Sequence, residues 1–274
     1  MTTLSITIPA AASRSDVRAQ RGSFIRDVGC IAGRALRAVP REPSTVIPPI
    51  FIAIFFFIVN IGTLQRLTES HISGFDIRAF MLPTAILLGV TGVSRAYAIV
   101  LDIQTGYLDR LLLTPVRRLA ILLGHMLADI AIACALMVPI LVVAFTLGVR
   151  IASGPVGVLA FLALGCAWCL AFAGFGYAIA LKTGNPAAVQ SSFLLFFPFL
   201  FMTSSYVPIG QLSGWLHAVA GVNPVTYVLE GLRSLVTQGW EWESLLKTVL
   251  AIAVVAVVSM SLCLATLRGR TRRS

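Results

Sequence analysis

Beyond residue 45 the chain runs in long apolar stretches, with polar side chains confined to short gaps between them. Six stretches stand out, at about 46–64, 79–101, 119–148, 155–181, 189–208 and 245–267. Each approaches or exceeds the roughly 20 helical residues that cross a bilayer core. Runs such as PPIFIAIFFFIV do not alternate as barrel strands do. Hydrocarbon offers no water to satisfy free backbone groups, so the spans are predicted as helices. Ahead of the first span the pattern differs. Phe24, Val28, Ile31 and Ala35 recur at helical spacing, while Arg26, Asp27, Arg34 and Arg37 take other faces. That pattern predicts an amphipathic helix on the membrane surface, its basic residues reaching the headgroups. Pro40 and Pro43 then break the chain before the first span.

The pattern divides the chain into a polar, disordered segment at 1–22, an interfacial helix at 23–42, a six-helix membrane domain at 43–267 and a basic tail at 268–274. Between the fifth and sixth spans, residues 209–244 are too apolar for a solvated loop and too broken to span. Helical pieces that dip back into the outer leaflet fit this stretch, since such backbone is tolerated where protein buries it. The predicted fold is an all-α integral membrane protein with an interfacial N-terminal helix and a re-entrant outer segment.

Composition agrees: 58% of the residues are hydrophobic and 12% charged, against about 25% charged in soluble domains. The net charge is +10. With the N-terminus inside, fifteen Lys and Arg fall on the cytoplasmic side and five outside, with Arg95 within a span. The positive-inside rule thus predicts both termini in the cytoplasm. The same distribution removes nucleic acid as a partner, because the basic residues serve topology. Residues 4–12 lack a preceding basic region and contain a proline, so no signal peptide is read there. The five cysteines suggest no disulfide framework, and Cys166-Ala-Trp-Cys169 lies mid-span without a second ligand pair, which favours packing over metal.

Candidate chemistry is sparse. His71, His125 and His217 are scattered, and no serine sits in a nucleophile elbow. GYAIALKT at 176–183 resembles a phosphate-binding loop, but Leu181 replaces the glycine that lets amides close around phosphate. No nucleotide or metal site is expected in this chain; if ATP is used, a partner supplies it. Arg95, His125 and Asp129 are ionisable groups inside spans, where a charge costs at least about 2.5–3.5 kcal/mol. Arg95 and Asp129 sit at similar depth on adjacent antiparallel spans, which predicts an ion pair with His125 one turn from Asp129. Such a pair reads either as a structural clamp or as part of a substrate or proton path.

Two motifs carry a family resemblance. GYLDRLLLTP at 106–115, followed by an arginine pair, is similar to the loop after the second span of type-2 ABC exporter permeases. NPVTYVLEGLR at 223–233 resembles that family's re-entrant motif. Within the family, the likeness is nearest to daunorubicin-resistance-type drug and lipid export permeases. The resemblance implies a coupling helix built on Gly106, Leu108, Asp109, Arg110, Leu111, Leu112 and Pro115, with the leucines anchoring and Asp109 and Arg110 addressing a polar partner; a merely topogenic turn is the alternative. It implies an outer gate, or its frame, at Asn223, Pro224, Tyr227, Glu230 and Arg233. Glu230 and Arg233 are three apart on one helix face, where an ion pair is plausible. The implied function is ATP-driven export of an amphipathic drug, lipid or lipid-linked glycan across a bacterial plasma membrane. The implied partners are separate ABC ATPase subunits carrying ATP and Mg, a second permease copy or homologue, and membrane lipids. The competing classes are an ion-gradient-driven secondary transporter and a membrane-embedded lipid enzyme. The second is disfavoured by the missing catalytic cluster.

Overall fold

The computed structural model describes residues 24–41, 43–71, 75–92, 94–107, 110, 118–194 and 196–271. Helix α1 (Phe24–Ala38) leads through a 3-10 turn (Val39–Arg41) into α2 (Pro43–His71). Then follow α3 (Ile77–Thr91), α4 (Ala96–Gln104), α5 (Arg118–Thr146) and α6 (Gly154–Thr183). The short helices α7 (Pro186–Leu194), α8 (Phe196–Phe201), α9 (Gly214–Val222) and α10 (Pro224–Thr237) precede the long α11 (Trp242–Thr271). No strand occurs among the described residues. Five helical stretches are long and apolar enough to cross a membrane: α2, α3 with α4, α5, α6 and α11.

Two predicted spans depart from the expected pattern. The second is interrupted between Thr91 and Ala96. Gly92 ends α3, and the Ala96 N–H is taken by the Ser94 hydroxyl at 3.1 Å. A side chain that offers the backbone a local partner competes with the helix ladder, and here it wins. The fifth falls short of the expected length: its apolar helical stretch runs Pro186–Phe201.

The centre of the fold is α3, in which every residue except Arg78 is buried. Around it one large apolar core draws residues from α2, α5, α6, α8, α10 and α11. A smaller core joins α4 to α5 and α6 through Ala96, Ile99, Met126 and Tyr177. By contrast α2 exposes Phe51, Phe55 and Ile58, and α11 exposes Val254, Val257 and Leu262. In a membrane these faces are open to acyl chains or to another subunit. Small residues set the closest helix approaches, as expected where lipid supplies no hydrophobic drive for association. A Cβ on Gly174 of α6 would lie 2.6 Å from the Ser259 hydroxyl of α11, which itself donates to the Ala171 carbonyl at 2.6 Å. On α5, a Cβ at Gly124 would lie 2.7 Å from Ile31, so α1 beds directly onto α5.

Candidate functional site

Three polar clusters interrupt this apolar fold. The first lies where α4 runs into the 105–118 segment. Asp102 accepts two hydrogen bonds from the Arg34 guanidinium of α1, at 2.7 and 3.3 Å. The same guanidinium stacks 4.5 Å above the Tyr107 ring. The hydrogen bond to Asp102, with its charge, lifts the Arg34 pKa above its ordinary value against the opposing effect of partial burial. His125 of α5 joins from the other side. Its Nδ1 lies 2.9 Å from the Ile121 carbonyl and must donate, since a carbonyl only accepts. Its Nε2 therefore faces Asp102, at 3.8 Å. His125 thus meets Asp102, as an ion pair only when its ring is protonated. After α4 the chain turns through Gly106, whose φ of 68° suits glycine, and the Arg110 N–H returns to the Gly106 carbonyl at 3.2 Å. Leu108, Asp109, Leu111, Leu112 and Pro115 lie outside the described residues.

The second cluster sits at the break in the second span. Asp129 of α5 has no exposed surface. One carboxylate oxygen accepts the main-chain N–H of Arg95 at 2.7 Å, and the other accepts the Tyr177 hydroxyl of α6. Arg95 and Asp129 meet through the Arg95 backbone: Asp129 satisfies an amide at the start of α4, as a capping residue would from its own chain segment. Next to it Trp168 Nε1 donates to the Thr91 hydroxyl at 2.9 Å, and that hydroxyl donates to the Leu87 carbonyl at 2.6 Å. Both ends of the break are therefore held by side chains of α5 and α6.

The third cluster frames α10. Asn223 caps the helix by accepting the Val225 N–H at 3.0 Å. Its amide donates to the carbonyls of Phe199 and Met202, at 2.6 and 3.2 Å, which ties α8 to the start of α10. Pro224 takes the first helical position, where a missing N–H costs nothing. The Tyr227 hydroxyl donates to the Gly221 carbonyl at 2.6 Å. Arg233 is buried and donates to the Phe80 carbonyl, the Ser204 and Thr84 hydroxyls and the Ser205 carbonyl, at 3.0 to 3.3 Å. Its guanidinium also lies 3.6 Å from the centre of the Phe80 ring. These groups, not Glu230, take its hydrogen bonds, because the side chain points inward to α3. Glu230 and Arg233 both line a cavity of about 680 Å³, together with Asp76 and Arg150.

Asp102, Tyr107 and Tyr177 belong to these clusters and were not singled out by the sequence, while Arg34, expected to reach the headgroups, holds Asp102 instead. Asp102 sits just past the predicted end of the second span, and Tyr177 lies within the stretch that resembled a phosphate loop. The signals were an acid at a span end and a lone tyrosine opposite a buried acid.

The order of these clusters along the chain can be set against known proteins. The ABC-2 type transporter model matches residues 27–237, from α1 to the end of α10. The chain belongs to the ABC-2 type transporter family. This ABC-2 chain is 25% identical over 236 residues to the daunorubicin resistance ABC transporter permease protein DrrB1 of Streptomyces coeruleorubidus, covering 82% of the chain and 80% of that protein. It is 26% identical over 219 residues to a Mycobacterium tuberculosis protein named as a probable doxorubicin resistance ABC transporter permease, DrrC, covering 79% of each. It is a multi-pass membrane protein homologous to drug-resistance ABC permeases.

Proposed function

We propose that this chain is the permease subunit of an ATP-driven exporter in a bacterial plasma membrane, moving an amphipathic drug, lipid or lipid-linked glycan outward. ATP and Mg are held by separate ATPase subunits, and a second permease, identical or homologous, completes the membrane path. Both termini face the cytoplasm, the 189–208 region serves as the fifth of six crossings and 209–244 re-enters from outside. The names of the relatives, which concern daunorubicin and doxorubicin resistance, favour drug-like cargo.

The observation that carries this reading is the anchorage of the 105–118 segment. Its root at Asp102 is ion-paired to Arg34 of α1 at 2.7 Å, and Tyr107 lies under the same guanidinium. A push on this segment is delivered to α4, α1 and α5 together. Gln104 extends the linkage to the end of α6, donating to the Gly184 carbonyl at 3.2 Å. Such a junction suits a surface on which an ATPase acts, with Asp109 and Arg110 as its polar contacts.

Purification in mild detergent tests the reading. An ATPase subunit is expected to accompany the permease, and substitution of Asp109 or Arg110 is expected to weaken that association. An intact complex with unimpaired ATP-driven transport in those variants would remove the coupling role. Export that survives ATP depletion but collapses with the proton gradient would point to the secondary-transporter class.

A further inference from the structure

Spacing along the chain offers the cysteines no partner, but packing brings two of them together. Cys134 of α5 and Cys166 of α6 lie 3.2 Å apart, sulfur to sulfur. Every cysteine of the chain is a free thiol. The Cys166 sulfur also lies 3.8 Å from the Ile130 carbonyl, which only accepts. Cys166 therefore donates to Ile130, and its sulfur receives the Cys134 hydrogen. A disulfide holds its sulfurs about 2.05 Å apart, so closure asks the two to approach by about 1.2 Å. The helices are closely packed here. At Gly165, next to Cys166, a Cβ would lie 2.7 Å from the Met137 sulfur of α5, so the backbone of α6 lies directly against that helix.

The two thiols differ in access. Cys166 is buried and Cys134 half-buried, on a part of α5 where Ala131, Ala135 and Val138 are exposed. Both lie near the middle of long apolar helices, far from either aqueous surface once these helices cross a membrane. An oxidant for Cys134 therefore arrives through the acyl chains, and a fatty-acyl hydroperoxide forms there. The Cys134 sulfur attacks the terminal peroxide oxygen and the O–O bond breaks. The thiol hydrogen passes to the departing alkoxide, which leaves a sulfenic acid and a fatty-acyl alcohol. Cys166 then attacks the sulfenic sulfur; the S–S bond forms, and hydroxide leaves as water with the Cys166 hydrogen. Two thiols lose two electrons in all, and one hydroperoxide is reduced to alcohol and water. Apolar surroundings keep both groups as thiols rather than thiolates, which makes the first step slow. The second sulfur, already 3.2 Å away, traps the sulfenic acid once it forms.

The bond would join the two helices that hold the break in the second span. Asp129, on the same helix as Cys134, accepts the Arg95 N–H and so holds the α4 side of the break. Trp168, two residues after Cys166, donates to Thr91 and holds the α3 side. Flexing the break with these contacts kept moves α5 against α6, and a covalent tie near their midpoints opposes that movement. We propose that Cys134 and Cys166 form a redox modification site, closed to a disulfide by a membrane-dissolved hydroperoxide, and that the closed form arrests transport. The site stands apart from the reading of the chain as an export permease; the arrest rests on that reading.

The test exposes the permease–ATPase complex in inside-out proteoliposomes to cumene hydroperoxide. Free thiols are then blocked, and the digested chain is read by mass spectrometry beside ATP-driven uptake of doxorubicin. A peptide linking Cys134 to Cys166 is expected, two hydrogens lighter than its reduced halves. Uptake should fall in proportion to the linked fraction, and tributylphosphine, an apolar reductant, should restore both. Cys134→Ala and Cys166→Ala should take up doxorubicin as the unaltered chain does and resist the peroxide. The absence of that linked peptide, or pairing with other cysteines instead, overturns the site. Linkage that leaves uptake unchanged overturns the arrest, as does equal loss of uptake in the alanine variants under peroxide. The linked peptide in a permease that neither binds an ATPase subunit nor takes up doxorubicin supports the site even where the export reading fails.

Discussion

Asp129 accepts two hydrogen bonds at a point with no exposed surface, and its donors come from two different segments, the start of α4 and α6. Replacing it with alanine leaves an amide and a phenol buried without acceptors, at about 3 kcal/mol for the two. Asp129→Asn keeps one acceptor oxygen and should cost roughly half as much. Thermal unfolding of the purified protein reads both, and transport should fall with them. An asparagine variant unchanged in stability and in transport would remove the clamp and the path together. Arg233 poses a related case with the opposite charge. Its donors reach four acceptors in different directions, a geometry that a lysine ammonium does not reproduce. Arg233→Lys is expected to lose about 2–3 kcal/mol. Glu230→Gln should stay within about 0.5 kcal/mol, because the carboxylate is not what satisfies the guanidinium. Equal losses in both variants would reinstate the pair. The motif residues were legible in the sequence, but their partners were not. Spacing along one helix suggested Glu230 for Arg233, whereas the real acceptors lie some 28 to 153 residues away in sequence.

At the scale of elements, α1 matters because it is fixed at two kinds of contact. Its apolar face, Ile31, Ala32 and Ala35, is buried, and Arg34 holds Asp102. The pair is partly exposed, 44% for Arg34 and 14% for Asp102, so breaking it should cost stability no more than about 1 kcal/mol. Its effect should appear in transport. Arg34→Asp is expected to reduce ATP-driven transport several-fold with little change in thermal unfolding, and adding Asp102→Arg should restore part of it. Failure of the reversal, with the single variant fully active, would remove α1 from the coupling route. Arg34 remains charged across any working pH, since its pKa is raised; raised salt, not pH, is what should weaken this contact. Helices α2, α5, α6 and α11 could be read from the chain because each is one uninterrupted apolar run. The break in the second span was not legible as a break. Hydropathy measures apolarity, while a break depends on whether a side chain such as Ser94 takes one rung of the ladder.

In the whole molecule, α3 takes the centre, and the 105–118 segment hangs from its continuation, α4. A force entering there would be passed to the core rather than to a helix with a widely exposed face such as α2. Reversing the charge of Asp109 or Arg110 should weaken binding of the ATPase subunit by about tenfold, close to 1.4 kcal/mol, without altering the permease's own thermal unfolding. Co-purification yield and unfolding measured on one preparation check both halves of this expectation. Equal loss of fold and partner would make the segment structural instead. Periodicity, hydropathy and charge by themselves determined that the chain is a helical membrane protein with an amphipathic helix before its first span. Those properties follow from solvent: each residue's transfer between water and hydrocarbon is local and adds along the chain. Motif likeness then pointed to the family that the match across residues 27–237 shows. Only the tertiary structure decided that Asp129 caps a broken span, that Arg34 reaches Asp102 and that Cys134 meets Cys166. Each depends on which distant segments meet, and that is set by helix packing around α3 rather than by any stretch of sequence read alone.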